Sequence, residues 1–208
     1  MKKILYVVLH GSVKSERYYN VKETWGKDID ILFYSDYEDV DKKIIKVSDR
    51  TDYGSNEEKH VNVIHYLSEN NNDYEWFFFC DDDTFVNTVK MNEFLKNLNQ
   101  DSVYGSILSE TWDRDRTLKY CSGGAGYLIH KNLLSKISKN IKLLNTGFSD
   151  VTLGLFLRDM GITIINDDSF KSQSPEFYNI PLDEVKNYIT FHYIIYKDQM
   201  LHLHNKVS

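Results

Sequence analysis

Trp76-Phe77-Phe78-Phe79-Cys80-Asp81-Asp82-Asp83 runs five apolar residues straight into three carboxylates. A short apolar run of this kind suits a strand covered on both faces, not a helix with a single apolar stripe. Such strands build sheets enclosed by helices, where ligands gather beyond the carboxyl ends of the strands. Asp81, Asp82 and Asp83 are expected at that edge. Carboxylates a few ångströms apart resist ionising together unless a cation sits among them. Oxygen ligands alone favour Mg²⁺ or Mn²⁺, and one added imidazole favours Mn²⁺. The competing reading of the triplet is a solvated acidic turn that binds nothing.

Outward from that strand the chain alternates. Ile4–Leu9 is a second continuous apolar run and reads as the central first strand, with Glu16–Trp25 helical and Ile29–Tyr34 and Lys43–Val47 as further strands. Glu57–Leu67 spaces Val61, Ile64, Tyr66 and Leu67 for a helix, which Asn70-Asn71-Asn72-Asp73 closes as a polar loop. Beyond the triplet, Met91–Leu98 is amphipathic, Val103–Ile107 is strand-like, and Tyr127–Ile129 is a strand entered through a glycine-rich loop. Phe148–Met160 reads as a helix entered through Ser149, and Ile162–Ile165 as a strand. Asp167–Asp183 holds both prolines and reads as irregular, Ile189–Tyr193 as a last strand and Tyr196–His204 as weakly helical. No repeat, low-complexity tract or linker interrupts this order. Residues 1–208 are therefore expected to form one α/β domain with a mostly parallel central sheet flanked by helices.

Composition narrows the partners. The chain sets 25 Lys and Arg against 31 Asp and Glu, a formal net charge of −6. That leaves no basic footprint for nucleic acid, and a phosphate-bearing ligand would need local cations or a metal. Ile4–Leu9 is too short for a secretory signal, and nothing approaches the roughly 18 apolar residues of a membrane span, so the chain as given is expected to be soluble. Cys80 and Cys121 are the only cysteines, too few for a disulfide framework and without zinc-site spacing. They read as free buried thiols, with a single disulfide as the alternative.

Four local features remain. Ser122-Gly123-Gly124-Ala125-Gly126 lacks the Gly-Lys-Ser/Thr of a phosphate loop and is either a tight turn or a place where backbone approaches a ligand. Asp150, near a helix start, either caps that helix or serves as a general base. His192, between Phe191 and Tyr193, needs a partner if buried and is a candidate ligand. Trp112, in the polar Glu110–Arg116 loop, either packs on its neighbours or offers an indole to a sugar. A strand followed by Asp-x-Asp suits a nucleotide-sugar glycosyltransferase, whose metal bridges carboxylate and diphosphate, but phosphohydrolases and nucleases also place carboxylates after strands.

Together these segments resemble the inverting β-1,3-glycosyltransferase family that includes Fringe and the core 1 β-1,3-galactosyltransferase. Thr24-Trp25, Phe33-Tyr34-Ser35-Asp36 and the stretch from Tyr74 to Asn87 are similar to the family's early motifs. Ser122 to Tyr127 resembles its glycine-rich motif, and Asp150-Val151-Thr152-Leu153-Gly154 the Fringe segment bearing its proposed catalytic Asp. Thr190-Phe191-His192-Tyr193 resembles a late core 1 segment containing a metal-binding His. The resemblance implies a GT-A fold and a UDP-sugar donor, with Mn²⁺ (or Mg²⁺) held by Asp81, Asp83 and His192. Asp82 would face the donor's sugar or ribose and Lys59 would contact the nucleotide. Asp150 would take the acceptor proton, while Gly123, Gly124 and Ala125 shape the cleft between donor and acceptor; Trp112 is the acceptor-side candidate. The expected reaction moves a hexose or N-acetylhexosamine to a glycan or glycoprotein hydroxyl in β-1,3 linkage. Phe170-Lys171-Ser172-Gln173 departs from Fringe, which has histidines there, one of them assigned to its metal. The family's anchor and stem are missing, so the chain is expected to be cytoplasmic if full length, or luminal in the secretory pathway if it is a trimmed catalytic domain. The competing functions are a metal-dependent phosphohydrolase or nuclease built on the triplet, and a catalytically silent sugar-binding protein.

Overall fold

The computed structural model describes residues 3–70, 73–112 and 116–207; the side chains of Asn97, Trp112 and Arg116 lie outside the described residues. Strand β1 (Ile4–Leu9) leads into helix α1 (Glu16–Lys22), β2 (Ile31–Ser35), β3 (Ile44–Lys46) and α2 (Asn56–Asn70). Then come β4 (Trp76–Asp81), β5 (Phe85–Val86), α3 (Thr88–Phe94), β6 (Ser102–Gly105) and the pair β7 (Ile107–Trp112) and β8 (Arg116–Cys121). The last part holds β9 (Tyr127–His130), α4 (Lys131–Ser138), α5 (Ser149–Asp159), β10 (Thr163–Asn166), β11 (Phe170–Lys171), β12 (Thr190–Phe191) and α6 (Lys197–Val207).

Seven of these strands form the main sheet in the order β10-β6-β9-β4-β1-β2-β3. Every neighbouring pair is parallel except the two made by β9. β4 lies along β1 from Trp76 opposite Ile4 to Asp81 opposite Leu9, so both strands end together and the carboxylates emerge at the carboxyl edge of the sheet, as expected.

Successive side chains of a strand leave on opposite faces, and this divides the core in two. Phe78 and Cys80 join Tyr6, Val8 and Phe33 against Val21 of α1 and Met200 and Leu203 of α6. Phe77 and Phe79 join Leu5, Val7 and Tyr34 against Val63 and Ile64 of α2, Leu134 of α4 and Leu157 of α5. Each aromatic side chain of Trp76 to Phe79 is at most 1% exposed. Burying one such side chain is worth about 1.5–3 kcal/mol, so this one strand anchors helices on both sides of the sheet.

The structure departs from the sequence reading in four places. Within Glu110–Arg116, Glu110–Trp112 and Arg116 are strand and 113–115 lie outside the described residues; β7 and β8 pair antiparallel, and Leu118 and Tyr120 pack onto Val151 and Leu155 of α5. Val103–Ile107 is divided between β6 and β7. The stretch expected to be irregular contains β11, which pairs parallel to β12. α4 starts at an unusual cap, His130 Nδ1 accepting from Asn132 N at 3.3 Å, and so lacks the Ser, Thr, Asp or Asn that marks an ordinary helix start. No described helix is long and apolar enough to cross a membrane. Cys80 and Cys121 are both buried and free.

Candidate active site

β4 ends at Asp81 and the chain turns at once, Thr84 N donating to the Asp81 carbonyl at 3.2 Å. The Thr84 hydroxyl donates to the Gly124 carbonyl at 2.6 Å and ties this turn to the glycine-rich loop. β5 follows, and β12 pairs antiparallel with it, Phe191 opposite Phe85. His192, one residue past β12, is thereby delivered to Asp83, and Ile194 N continues the pairing by donating to the Asp83 carbonyl at 2.8 Å. His192 Nε2 lies 3.1 Å from Asp83 Oδ1 and 3.8 Å from Asp81 Oδ2. One potential ligand atom from each of Asp81, Asp83 and His192 falls within 4.8 Å of the other two. Two carboxylates and one imidazole converging this way fit Mn²⁺ or a similar divalent ion. Tyr193 takes a left-handed φ of 61° and stacks its ring on that of His192, centroids 3.9 Å apart; strained backbone of this kind clusters at functional sites.

The charges are mutually tuned. Burial pushes the Asp81 carboxyl up to about 7; His192 opposes the rise and the Asp83, Asp82 and Asp150 carboxylates add to it. Its side chain still has 37% exposure to the cleft, and that solvent moderates the effect. Burial acts the same way on Asp83, but the hydrogen bond and charge of His192, with the Arg17 guanidinium, hold it below its ordinary value. Burial would lower His192, yet Asp83 and Asp81 together raise it. A divalent cation works against both rises, because it favours ionised Asp81 and neutral His192.

Asp82 does not converge with the other two. Its Oδ2 meets His10 Nδ1 at 2.8 Å, and its Oδ1 accepts from Arg17 Nη1 at 3.1 Å, a nitrogen that also donates to Asp83 Oδ2 at 3.0 Å. Lys59 reaches from α2 and donates to Asp36 Oδ1 at 3.2 Å, both side chains being buried. Asp36 also accepts from the backbone N–H and hydroxyl of Ser12. Burial would raise the Asp36 carboxyl, but these donors and Lys59 hold it well below the ordinary carboxylate range. Lys14, Arg17 and Lys59 line one cleft with the acidic triplet, which gives an acidic chain local cations beside its carboxylates. Arg17, His10 and Asp36 are not singled out by the sequence alone: Asp36 lies within the Phe33–Asp36 motif, whereas Arg17 and His10 carry no linear signal.

Asp150 lies in the first turn of α5. Its Oδ1 accepts from Val151 N at 2.9 Å and its Oδ2 from Gly123 N at 3.2 Å, so the carboxylate is held against the glycine-rich loop. Burial raises it above its ordinary value, against the pull of those two donors. A Cβ on Gly124 would fall 2.0 Å from His192 Cε1, so only glycine leaves room for the imidazole. Ala125 is fully buried in the core, and its carbonyl accepts from the Thr190 hydroxyl at 2.7 Å. Trp112 ends β7, but its side chain lies outside the described residues. Gly123, Gly124, Asp81, His192 and Asp150 line one cleft. It adjoins the Arg17–Lys59 cleft along Leu9, Tyr53, Asn56, Asp81, His192 and Tyr193.

A family model described as Fringe-like matches residues 9–207. Glycoprotein-N-acetylgalactosamine 3-beta-galactosyltransferase 1 of Xenopus laevis is 26% identical over 169 residues, 78% of this chain and 46% of that protein. Beta-1,3-N-acetylglucosaminyltransferase lunatic fringe of Xenopus laevis is 24% identical over 149 residues, 61% of this chain and 40% of that protein. The chain thus spans less than half the length of these relatives. Among solved structures, a glycosyltransferase involved in the glycosylation of the major capsid of PBCV-1 has a TM-score of 0.60 at 16% identity, over 97% of this chain and 98% of that one. The galactosyltransferase LgtC, in complex with donor and acceptor sugar analogs, has a TM-score of 0.51 at 12% identity, over 98% and 96%. Those likenesses show the fold, a GT-A arrangement of helices around a mostly parallel sheet. The family match runs through that sheet from the end of β1 to the end of α6, and the chain belongs to the Fringe-like family.

Proposed function

We propose that this chain, acting as a single catalytic domain, is a metal-dependent inverting glycosyltransferase. It moves a hexose or N-acetylhexosamine from a UDP-sugar to a hydroxyl of a glycan or glycoprotein, forming a β-1,3 linkage. One observation carries the reading: Asp81 and His192, which converge with Asp83 on one point, line the same cleft as Asp150. Single displacement needs those two things, charge stabilisation where the nucleotide leaves and a base where the acceptor attacks. The activities for which the relatives are named, β-1,3-N-acetylglucosaminyl and 3-β-galactosyl transfer, support the sugar classes and the linkage.

Asp81, Asp83 and His192 would hold Mn²⁺ or Mg²⁺, which would supply positive charge to stabilise the departing UDP. Lys59, oriented by Asp36, would face the nucleotide. Asp82, fixed by His10 and Arg17, would face the donor's sugar or ribose. Gly123 and Gly124 leave backbone close to the substrates, and Asp150, its carboxyl raised above its ordinary value by burial, takes the acceptor proton. Trp112 is the acceptor-side candidate.

The test is a screen of UDP-sugars in Mn²⁺, following donor-dependent thermal stabilisation, slow UDP release and, with candidate glycans, the mass of the product. Acceptor-independent release of phosphate would establish the hydrolase instead, and UDP binding without turnover the silent protein. Asp150→Asn keeps an oxygen for Gly123 but cannot take a proton as a carboxylate does. It should leave folding and UDP–Mn²⁺ affinity near wild type while transfer falls by roughly two to four orders of magnitude. Wild-type transfer by that variant would move the base elsewhere.

A further inference from the structure

Glu57 is a buried carboxylate that the scheme above leaves unused. It stands in the first turn of α2, 3% exposed. Its Oε1 accepts from the backbone N–H groups of Leu144 at 2.7 Å and Asn145 at 3.0 Å, and its Oε2 from that of Gly147 at 2.9 Å and from the Thr146 hydroxyl at 3.3 Å. All four donors belong to the loop between α4 and α5. Those donors outweigh the effect of burial and hold the Glu57 carboxyl below its ordinary value, so it stays ionised.

The loop has little else to fix its shape. Leu143 and Leu144 are 45% and 38% exposed, so apolar packing does not secure it. Asn145 and Gly147 take left-handed φ angles of 59° and 78°, which a chain adopts at some cost when the residue is not glycine. The grip passes onward: the Thr146 hydroxyl accepts from Phe148 N at 3.1 Å and meets Thr152 Oγ1 at 2.7 Å. Asp150 lies between those two contacts. Lys59 leaves α2 two residues after Glu57, about 200° round the helix, and runs to Asp36 on the other side. Asn56, at the start of the same turn, lines both clefts.

We propose that Glu57 is a positioning residue: by clamping the 144–147 loop it holds Asp150 against Gly123, so that the first turn of α2 sets the base with one side chain and the nucleotide-side lysine with another. The inference rests on the reading of Asp150 as the base. A buried carboxylate is a costly way to fill space, since an apolar side chain of similar size does that without desolvating a charge. Its return here is a loop of fixed shape three residues from the reacting group.

Glu57→Gln preserves size but replaces one acceptor oxygen with an amide NH2 group that opposes the loop N–H groups. In the full chain with Mn²⁺ and the donor found by the screen, this variant should fold and bind UDP as wild type does. Its kcat should fall by about tenfold to a hundredfold, the cost of misplacing a reacting group by an ångström or less. In an Asp150→Asn background the same change should cost nothing more, because both act through one carboxylate. Wild-type kcat in Glu57→Gln, a parallel loss of UDP affinity, or losses that add to those of Asp150→Asn would each overturn the proposal. Should Glu57→Gln fail to fold, Thr146→Val removes the hydroxyl that links Glu57 to Phe148 and Thr152 and should show the same drop in kcat with UDP affinity intact; wild-type kcat there overturns it equally. If Asp150→Asn itself transfers at the wild-type rate, the base assignment fails first. If it is slow while Glu57→Gln is not, only the clamp fails.

Discussion

Gly124 and His192 act as one unit although nothing in the linear sequence joins them. A Cβ at position 124 would sit 2.0 Å from Cε1, 2.3 Å from Nδ1 and 2.4 Å from Nε2 of His192, in effect on the ring. Gly124→Ala therefore has to expel the imidazole. Mn²⁺ affinity should drop by about tenfold to a hundredfold, as when the support of a ligand is lost, and His192→Ala should match it. Calorimetric titration of Mn²⁺ into both variants checks this, and wild-type affinity in either one would remove His192 from the metal site. Both residues were legible one at a time, through a glycine-rich motif and a Phe-His-Tyr motif, because each motif is a local string. Arg17 and His10 were not, since a helix arginine and a strand-end histidine become partners of Asp82 only when α1 and β1 meet the end of β4. The burial of Ala125 in the core is not legible in the string, where a small residue within a glycine loop looks like its cleft-lining neighbours.

At the scale of elements, α2 is the piece that most constrains its surroundings. Beyond Glu57 and Lys59 it buries His60, whose Nε2 lies 2.6 Å from the Tyr127 hydroxyl and whose Nδ1 lies 3.3 Å from that of Tyr34. Burial lowers His60 from 6.5 to about 4. Between those values the unfolded chain binds a proton that the folded chain refuses, so stability is fully present above pH 6.5, falls as pH drops toward 4 and levels off below. The loss amounts to about 3 kcal/mol at most. Melting temperature recorded across this range should fall more steeply in wild type than in His60→Gln, and identical profiles would show that His60 is not held neutral by the fold. The middle of α2 and the entry of α5 at Ser149 are readable because their apolar residues keep helical spacing, although α2 runs past the expected Leu67 to Asn70. The β7–β8 pair is hidden in the sequence by the polar, exposed run Ser109, Glu110 and Thr111, which breaks the apolar alternation. Nothing in the apolar string Tyr127–His130 marks β9 as the one strand of the main sheet that runs antiparallel to its neighbours.

At the scale of the whole molecule, alternating apolar strands and amphipathic helices were enough to predict a layered α/β domain, but not the strand order, which depends on long-range pairing. The small β11-β12-β5 sheet is the clearest case: three strands of two residues each bring His192 from near the chain's end to a turn in its middle. Stability rests on two apolar layers and not on a bridge, since Cys80 and Cys121 are free and buried. A thiol reductant should therefore leave the melting temperature unchanged, and a large drop would reveal a disulfide. The net charge of −6 and the carboxylates at the end of β4 together oppose a diphosphate unless a cation intervenes. The most direct test is calorimetric titration of UDP in Mn²⁺ and again in excess chelator. Binding in Mn²⁺ that chelation abolishes, with Asp83→Ala in Mn²⁺ behaving like wild type in chelator, is the expected result; equal UDP affinity with and without the metal would contradict the account.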